Sequence, residues 1–136
     1  MISVLRHDDH HHHDGDRGSA TVEVTIAMPL LGLLLLLIVQ FAFWAHATHV
    51  AQAAANQGVQ TARAYGSTAD AGVDDTNAIL DQTAGSILVD RAVSANNTAT
   101  TSTVTVTGKA AAVVPGLSLP ITVSVTAPRE LVPGTP

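Results

Sequence analysis

The chain has 136 residues and a formal net charge of −5, and this length suits one small domain with an anchor. Hydrophobic residues make up 46% of it and charged residues only 12%, whereas an ordinary globular domain carries about 25% charged residues. The acidic balance provides no basic patch for phosphates, so nucleic acid is not an expected partner. Because the chain has no cysteine, disulfides, thiolate metal sites and cysteine nucleophiles are excluded.

The first 18 residues form a leader rich in histidine and aspartate. Histidine-rich tracts can bind zinc, nickel or copper, and the candidate ligands here are His10, His11, His12 and His13. The alternative interpretation is a solvated leader that holds no metal, and we adopt it. We therefore expect neither a metal nor a cofactor.

A long apolar segment follows at residues 24–45, and it contains no ionisable side chain. As a helix with about 1.5 Å per residue it would be about 33 Å long, enough to cross a hydrocarbon core of about 30 Å. Its residues are apolar on all sides rather than along one stripe, as lipid exposure requires. Phe41, Phe43 and Trp44 lie at its C-terminal end, where an aromatic belt would meet the membrane interface. The sequence therefore predicts one membrane span.

Basic residues set the predicted orientation of this span. Arg6 and Arg17 precede it, whereas the first basic residue after it is Arg63. By the positive-inside rule the N-terminus is cytoplasmic and the bulk of the chain is exported. A cleaved secretory signal peptide fits poorly, because the apolar run is longer than the about 7–15 residues of such a signal.

The residues directly before the span combine a glycine with an acid. The string is RGSATVE at residues 17–23. A glycine such as Gly18 allows close backbone approach, which a protease can use. A carboxylate at the edge of a membrane helix is costly unless it stays at the interface or finds a partner. Taken alone, Glu23 would lie at the headgroup boundary and stabilise the N-terminus of the helix through the helix dipole.

This junction resembles a type IV prepilin-type signal, in which a membrane aspartic peptidase cuts after the glycine. The longer string from Arg17 to Gly66, RGSATVEVTIAMPLLGLLLLLIVQFAFWAHATHVAQAAANQGVQTARAYG, is similar to the TadE-like family of pilus-assembly pseudopilins. In that family the Val-Glu start opens a helix, a Pro-Leu-Leu run follows, and an Ala/Gln/Asn-rich stretch continues it. Val24 departs from the pattern, because the family usually has an aromatic residue after the glutamate.

The resemblance implies roles for three residues at the junction. Gly18 would be the last residue of the leader, and Ser19 would be the new N-terminus after cleavage by a prepilin peptidase. Glu23 would pair with the free α-amino group of a neighbouring subunit inside an apolar helix bundle. Such a pair adds little stability but sets register, because a misplaced neighbour leaves a buried charge unpaired.

The helix is predicted to continue beyond the membrane, from about Ala20 to Tyr65. Residues 46–64 contain no proline, one glycine and many alanines, which gives high helix propensity. Gly66 offers a stop. A narrow stripe of small residues suited to close helix packing lies along this part: Ala51, Ala55, Val59 and Ala62.

A second helix is predicted at about residues 73–93. Asp74 and Asp75 near its start and Arg91 near its end suit the helix dipole. Its apolar face consists of Leu80, Ala84, Ile87 and Leu88.

Beyond residue 96 the apolar residues alternate with polar ones, which is the period of a strand. Val104 and Val106 mark a first strand that ends in a turn at Gly108-Lys109. A second strand covers residues 117–126, where Pro120 restricts it to an edge or a bulge.

The predicted fold class is α+β and pilin-like. A long N-terminal transmembrane helix continues outside the membrane, and a second helix and a small C-terminal antiparallel sheet follow. The sheet is expected to pack on the second helix, and the tail is expected to fray from Ala127. The predicted organisation has three parts: a cytoplasmic leader at 1–18 that is cleaved, the transmembrane and extended helix at 19–66, and a small extracytoplasmic region at 67–136.

The exported region contains no nucleophile motif, Gly-rich phosphate loop or zinc-spaced ligand set, so an enzyme is not expected. The leading hypothesis is a structural pseudopilin or minor pilin in assembly of a Tad/Flp-type (type IVb) adhesive pilus or a related secretion filament. The alternative is an unprocessed single-pass, membrane-tethered interaction module of the cell envelope. A third hypothesis is a metal-handling membrane protein that uses the histidine tract.

The leading hypothesis also predicts partners and a location. The partners are membrane lipid, a prepilin peptidase, other pilins or pseudopilins, and the pilus-assembly membrane proteins. The location is the cell membrane, with a cytoplasmic N-terminus and an extracytoplasmic C-terminal region, or a surface pilus after assembly.

Overall fold

The computed structural model describes residues 15–131, with side chains from Gly18 onward. Two helices precede three strands: α1 at Gly15–Arg63, α2 at Ala69–Thr83, β1 at Leu88–Asn97, β2 at Thr101–Ala110 and β3 at Pro120–Pro128. The strands form an antiparallel sheet in the order β1-β2-β3. The predicted α+β class is therefore confirmed.

The chain divides into two units, Met1–Leu35 and Leu36–Pro136. In the first unit the described residues belong to α1. The second unit contains the rest of α1, α2 and the sheet, and we call its described part, residues 36–131, the domain.

α1 is one helix of 49 residues, which confirms that the helix continues beyond the apolar segment. Good helix formers such as alanine and leucine dominate it, and Pro29 lies inside it, where a proline removes one backbone hydrogen bond. It ends at Arg63, a basic residue in the last turn that suits the helix dipole. The chain then turns through Gly66, whose φ of +75° favours glycine.

α2 begins after Thr68, whose hydroxyl caps the helix by accepting a hydrogen bond from the Ala71 backbone N–H at 3.2 Å. The predicted end of this helix near residue 93 is wrong, because the helix stops at Thr83. Gly85 follows with a φ of +49°, in the left-handed region. The chain from Leu88 onward pairs with β2 instead of continuing the helix.

The apolar face predicted for the longer helix is nevertheless buried. Leu80, Ala84 and Leu88 are 0–3% exposed, and Ile87 packs against the core. Arg91 lies in β1 rather than at a helix end, and its guanidinium pairs with a carboxylate of α2. The burial of this apolar face was therefore predicted correctly, whereas the predicted helical structure is wrong for Ile87, Leu88 and Arg91.

β2 is the central strand of the sheet. Val104 and Val106 lie in it as predicted, and both are fully buried. The predicted turn at Gly108-Lys109 is wrong, because both residues lie within β2. The connection that follows this strand begins after Ala110. The hairpin turn that precedes it, between β1 and β2, lies at residues 98–100, where the Thr98 hydroxyl accepts hydrogen bonds from the backbone N–H groups of Thr100 and Thr101.

β3 lies at an edge of the sheet and starts at Pro120, which confirms the position predicted for that proline. The strand extends to Pro128. The next two backbone N–H groups donate to the β1–β2 turn and to the last turn of α1. The prediction that the tail frays from Ala127 is therefore wrong for residues 127–130.

The core of the domain lies between the sheet and both helices. The inner face of the sheet contributes Val104, Val106, Ile121 and Val123, and α2 contributes Leu80. α1 contributes small residues along one face: Ala47, Ala51, Ala54, Ala55, Val59 and Ala62.

The sheet therefore packs against α1 as well as against the second helix. The stripe of small residues that was predicted for helix packing is 0–1% exposed, so the core of the domain already covers it. Small side chains at this face let the helix backbone approach the sheet and α2 closely.

α1 and α2 cross where two glycines face each other. A Cβ on Gly58 would overlap Thr76 Oγ1 and would lie 2.8 Å from the Gly72 carbonyl oxygen. A Cβ on Gly72 would lie 2.7 Å from the Ala62 Cβ. The buried Thr76 hydroxyl donates to the Gly72 carbonyl at 2.7 Å. This crossing has no room for a larger residue than glycine at either position.

Candidate functional site

The N-terminal part of α1 exposes apolar side chains on every side. Each residue from Gly18 to Val39 is exposed, including large side chains such as Ile26 at 66% and Leu37 at 43%. Soluble monomeric proteins rarely expose a contiguous apolar surface of this extent. Among the described residues, one helix is long and apolar enough to cross a membrane, and its most apolar window is exposed rather than buried. We call residues 18–39 the apolar segment.

The apolar segment and the domain share α1. The C-terminal part of this helix supplies the core of the domain, and the same helix continues N-terminally as the apolar segment. The apolar segment ends at Val39, and Ala47, the first alanine of the core, follows in the same uninterrupted helix. The arrangement is consistent with a single-pass membrane protein whose anchor and domain core are one element.

A buried amide marks the point at which the apolar segment ends. Gln40 is 1% exposed, and its Nε2 donates to the Ala111 carbonyl at 3.1 Å. Its Oε1 accepts hydrogen bonds from the backbone N–H groups of Val113 at 2.6 Å and Val114 at 3.2 Å. One side chain thereby satisfies three backbone groups of the connection between β2 and β3.

A second side chain of α1 binds the other end of the same connection. The Trp44 indole Nε1 donates to the Pro120 carbonyl at 3.2 Å. Residues 40–45, the last part of the predicted span, thus include two side chains that the domain engages. Phe41 remains 63% exposed and Phe43 36% exposed beside them.

Sequence reasoning missed the role of Gln40 and treated it as one more uncharged residue of the span. The available signal was a single amide in an otherwise apolar run. A buried amide has two donors and an acceptor to satisfy, so it requires specific partners. Those partners lie more than 70 residues away in the chain, and no local pattern identifies them.

Replacing Gln40 by leucine is expected to destabilise the domain by about 3 kcal/mol, because three backbone groups lose their partner in a partly buried place. Gln52 provides the control, since it is exposed on the same helix, and leucine there is expected to change stability by less than about 0.5 kcal/mol. Thermal unfolding of both variants in detergent micelles, followed by circular dichroism, measures the difference. Equal melting temperatures for the two variants would contradict the role of Gln40.

The residues of the predicted processing site lie in the first turns of α1. Gly18, Ser19 and Glu23 are all exposed. Ser19 and Glu23 are four residues apart, so they lie on one face of the helix. Among the described residues, no atom lies within 4 Å of a Cβ placed on Gly18. The fold therefore does not itself require glycine at that position.

The histidines of the leader, including His10, His11, His12 and His13, lie outside the described residues. Within the described part of the chain, no group of three or more histidine, aspartate or glutamate side chains is arranged to hold a metal ion. His46 and His49, which follow the aromatic residues, are exposed on α1.

The match to a known family falls on α1. Residues 18–60 match the model of the TadE-like protein family, which confirms the resemblance seen in the sequence. The matched stretch begins at Gly18, contains Glu23 and Gln40, and ends three residues before α1 ends. No curated protein and no solved structure matches the chain significantly.

TadE-like proteins are associated with the Tad pilus, and the family is structural and not known as enzymatic. The matched residues include the whole apolar segment and also most of the part of α1 that packs in the core of the domain.

Proposed function

We propose that this protein is a TadE-like pseudopilin or minor pilin that works in assembly of a Tad/Flp-type pilus or a related secretion filament. The apolar segment holds the chain in the membrane and then packs against the apolar helices of neighbouring subunits. The observation that carries this proposal is the continuity of α1, in which an exposed apolar helix and the core helix of a folded domain are one element. An exposed helix that is apolar on all sides needs lipid or other apolar helices around it.

In this proposal a prepilin peptidase cuts after Gly18 and removes the leader. Three features support the cut: the family match begins at this residue, the residue is exposed, and the fold has room for a side chain there. The bond to Ser19 lies near the N-terminal end of α1, and helix ends open at low free-energy cost. Basic residues before the segment favour a cytoplasmic leader and an exported domain.

The processed chain has partners of two kinds. Membrane lipid surrounds the apolar segment before assembly, and other pilins, pseudopilins and membrane proteins of the assembly machinery bind it afterwards. The face of α1 that carries the small-residue stripe is buried in the domain. Contacts with neighbouring subunits therefore involve the apolar segment rather than that stripe.

Intact mass measurement and N-terminal sequencing of the membrane-extracted protein test the proposal. A chain that starts at Ser19 supports it. A mature chain that retains Met1 would contradict it and would favour an unprocessed, membrane-tethered interaction module.

Glu23 is proposed to set the register of assembly by pairing with the α-amino group of a neighbouring processed subunit. Replacing Glu23 by glutamine keeps the shape and removes the charge, so we expect normal processing with at least about a tenfold loss of assembled complex, equivalent to about 1.4 kcal/mol. Asp74→Asn is the control, since this exposed carboxylate lies on α2. The readout is the fraction of the chain that cross-links to other pilus subunits in cells. Ordinary cross-linking of the Glu23→Gln chain would remove this role.

A further inference from the structure

The connection between β2 and β3, residues 111–119, is an apolar loop. No ionisable residue occurs between Lys109 and Arg129. The Leu117 backbone N–H donates to the Val114 carbonyl at 3.1 Å, and Gly116 has a φ of +80°. Proline at the second position and a positive φ at the third are the features of a type II turn. The loop therefore carries a tight Val-Pro-Gly-Leu turn, in which Pro115 is exposed and Val114 and Leu117 are half-buried.

Both ends of this loop are tied to α1 within a little more than one helical turn. Gln40 bonds the first part of the loop, and Trp44 bonds the first residue of β3. The residues of α1 just before Gln40 belong to the same unit and are exposed and apolar: Leu36, Leu37, Ile38 and Val39. The loop thus lies beside the point at which α1 becomes fully exposed and apolar.

The other end of the sheet lies at the opposite end of the domain. The Glu130 backbone N–H donates to the Arg63 carbonyl at 3.0 Å, and the Asn97 side chain donates to the Ala62 carbonyl at 3.2 Å. The β1–β2 turn therefore lies at the Arg63 end of α1. At about 3.3 Å per residue, the length of β2 separates that turn from the apolar loop by about 30 Å.

Two aromatic residues of α1, Phe41 and Trp44, lie within about a turn of Gln40. Phe41 is 63% exposed, and its ring centroid lies 5.5 Å from that of Trp44. The charged residue next to the loop, Lys109, forms an ion pair with Asp90 at 3.3 Å on the neighbouring strand. Aromatic side chains and a nearby lysine are typical of a membrane–water interface.

We propose that the β2–β3 loop inserts into the boundary between headgroups and acyl chains, as a second lipid contact beside α1. This inference rests on the proposed membrane role of the apolar segment and extends it to the surface of the domain. Lipid is the partner expected at this loop, because a bilayer around the apolar segment also surrounds the residues directly before Gln40. The loop is bonded to Gln40 itself.

The hydrogen bonds of Gln40 suit such a position. In a place with little water, each unpaired backbone N–H or carbonyl costs several kcal/mol. Gln40 satisfies two N–H groups and one carbonyl of the loop. The amide thus lets a non-helical segment enter the interface without exposing unpaired backbone groups. Two attachments, the helix and the loop, would then fix the tilt of the domain on the membrane.

Single cysteines test the insertion, because the chain has no cysteine of its own. The full chain with Val114→Cys, labelled with a polarity-sensitive fluorophore, is reconstituted in phosphatidylcholine vesicles with or without brominated lipid, the bromine lying near the headgroup for the loop labels and deep in the acyl chain for the Leu34→Cys label. Ala99→Cys in the β1–β2 turn is the matched exposed control, and Leu34→Cys reports on the apolar segment. Ala112→Cys repeats the measurement at an exposed loop position, where the label displaces no buried atom.

The expected result is loss of fluorescence to brominated lipid at Val114→Cys and Ala112→Cys, with several-fold weaker quenching by aqueous iodide than at Ala99→Cys. Loop labels that behave like the Ala99→Cys label, while the Leu34→Cys label is quenched by brominated lipid, would overturn loop insertion and leave the proposed function intact. A Leu34→Cys label that brominated lipid does not quench would overturn the membrane span and, with it, both proposals.

Discussion

Replacing Gly18 by alanine is expected to leave the leader attached, so that the uncleaved chain accumulates. The processing proposal implies that the peptidase subsite on the leader side of the scissile bond has no room for a Cβ. The fold of the substrate itself has that room, since among the described residues nothing lies within 4 Å of a Cβ at Gly18. We expect at least about a tenfold loss of processing rate, equivalent to about 1.4 kcal/mol of transition-state binding. Intact mass after a pulse of synthesis measures the ratio of full-length to shortened chain.

Gly32 supplies a closely matched control for that experiment. It is also an exposed glycine of α1, and a Cβ there likewise meets nothing within 4 Å in the described residues. Both replacements stabilise the helix by about 1 kcal/mol, the difference in helix propensity between alanine and glycine. This added helix stability is therefore the same in the two variants. Gly32→Ala is expected to be processed normally. If Gly18→Ala is also shortened at Ser19 at the normal rate, the cut does not depend on the glycine and the processing proposal fails.

The parts of the fold that the sequence predicts best are those with a long, uninterrupted period. α1 follows from a proline-poor, alanine- and leucine-rich run, and its observed end at Arg63 lies two residues before the predicted end at Tyr65. The inner face of β3 follows from strict alternation, and Ile121 and Val123 are buried as that alternation requires. In both cases local propensity and tertiary packing favour the same structure, so no long-range information is needed.

Short elements were predicted less well, because two structures fit the same local pattern. Ile87 and Leu88 continue a helical spacing from Leu80, yet the helix ends at Thr83, and the chain turns through Gly85 and joins the sheet. Pairing with β2 decides that outcome. A helical period is read from neighbouring residues, so it contains no information on a partner strand more than ten residues away. Gly108 suggested a turn for a similar reason. It is glycine because a Cβ there would lie 2.8 Å from Leu88 Cδ1, a contact made only in the folded domain.

The residues of the candidate site differ in the same way: some are predictable from the local sequence, and others depend on distant partners. Gly18, Ser19 and Glu23 are local features of one helix end, and their spacing and exposure are readable from the sequence. Gln40 acquires its role from backbone groups of a distant loop. The small-residue stripe was predicted for close helix packing, and it is buried within the domain against α2 and the sheet.

Replacing Gly58 by alanine is expected to destabilise the domain by about 2 kcal/mol or more and to lower its melting temperature by about 10 °C. The added Cβ overlaps Thr76 Oγ1 and lies 2.8 Å from the Gly72 carbonyl, so α1 and α2 must separate. Overpacking of this kind costs about 1–3 kcal/mol, and displacing the Thr76 hydrogen bond costs about 1 kcal/mol more. The gain in helix propensity offsets about 1 kcal/mol. Circular dichroism in micelles measures the shift, with Gly32→Ala as the control.

A double variant identifies the cause of this loss. Thr76→Ala removes the hydroxyl that the new Cβ meets. The double variant should therefore lose about 1 kcal/mol less stability than the sum of the losses in the two single variants. Stability losses that simply add in the double variant would mean that the contact between the new Cβ and the Thr76 hydroxyl is not the cause. In the processing proposal, cleavage after Gly18 depends on the N-terminal end of α1 and not on this crossing. The leader of a Gly58→Ala chain should therefore still be removed, while its domain becomes sensitive to protease. Loss of processing in that variant would mean that the peptidase requires a folded domain as well as the helix end.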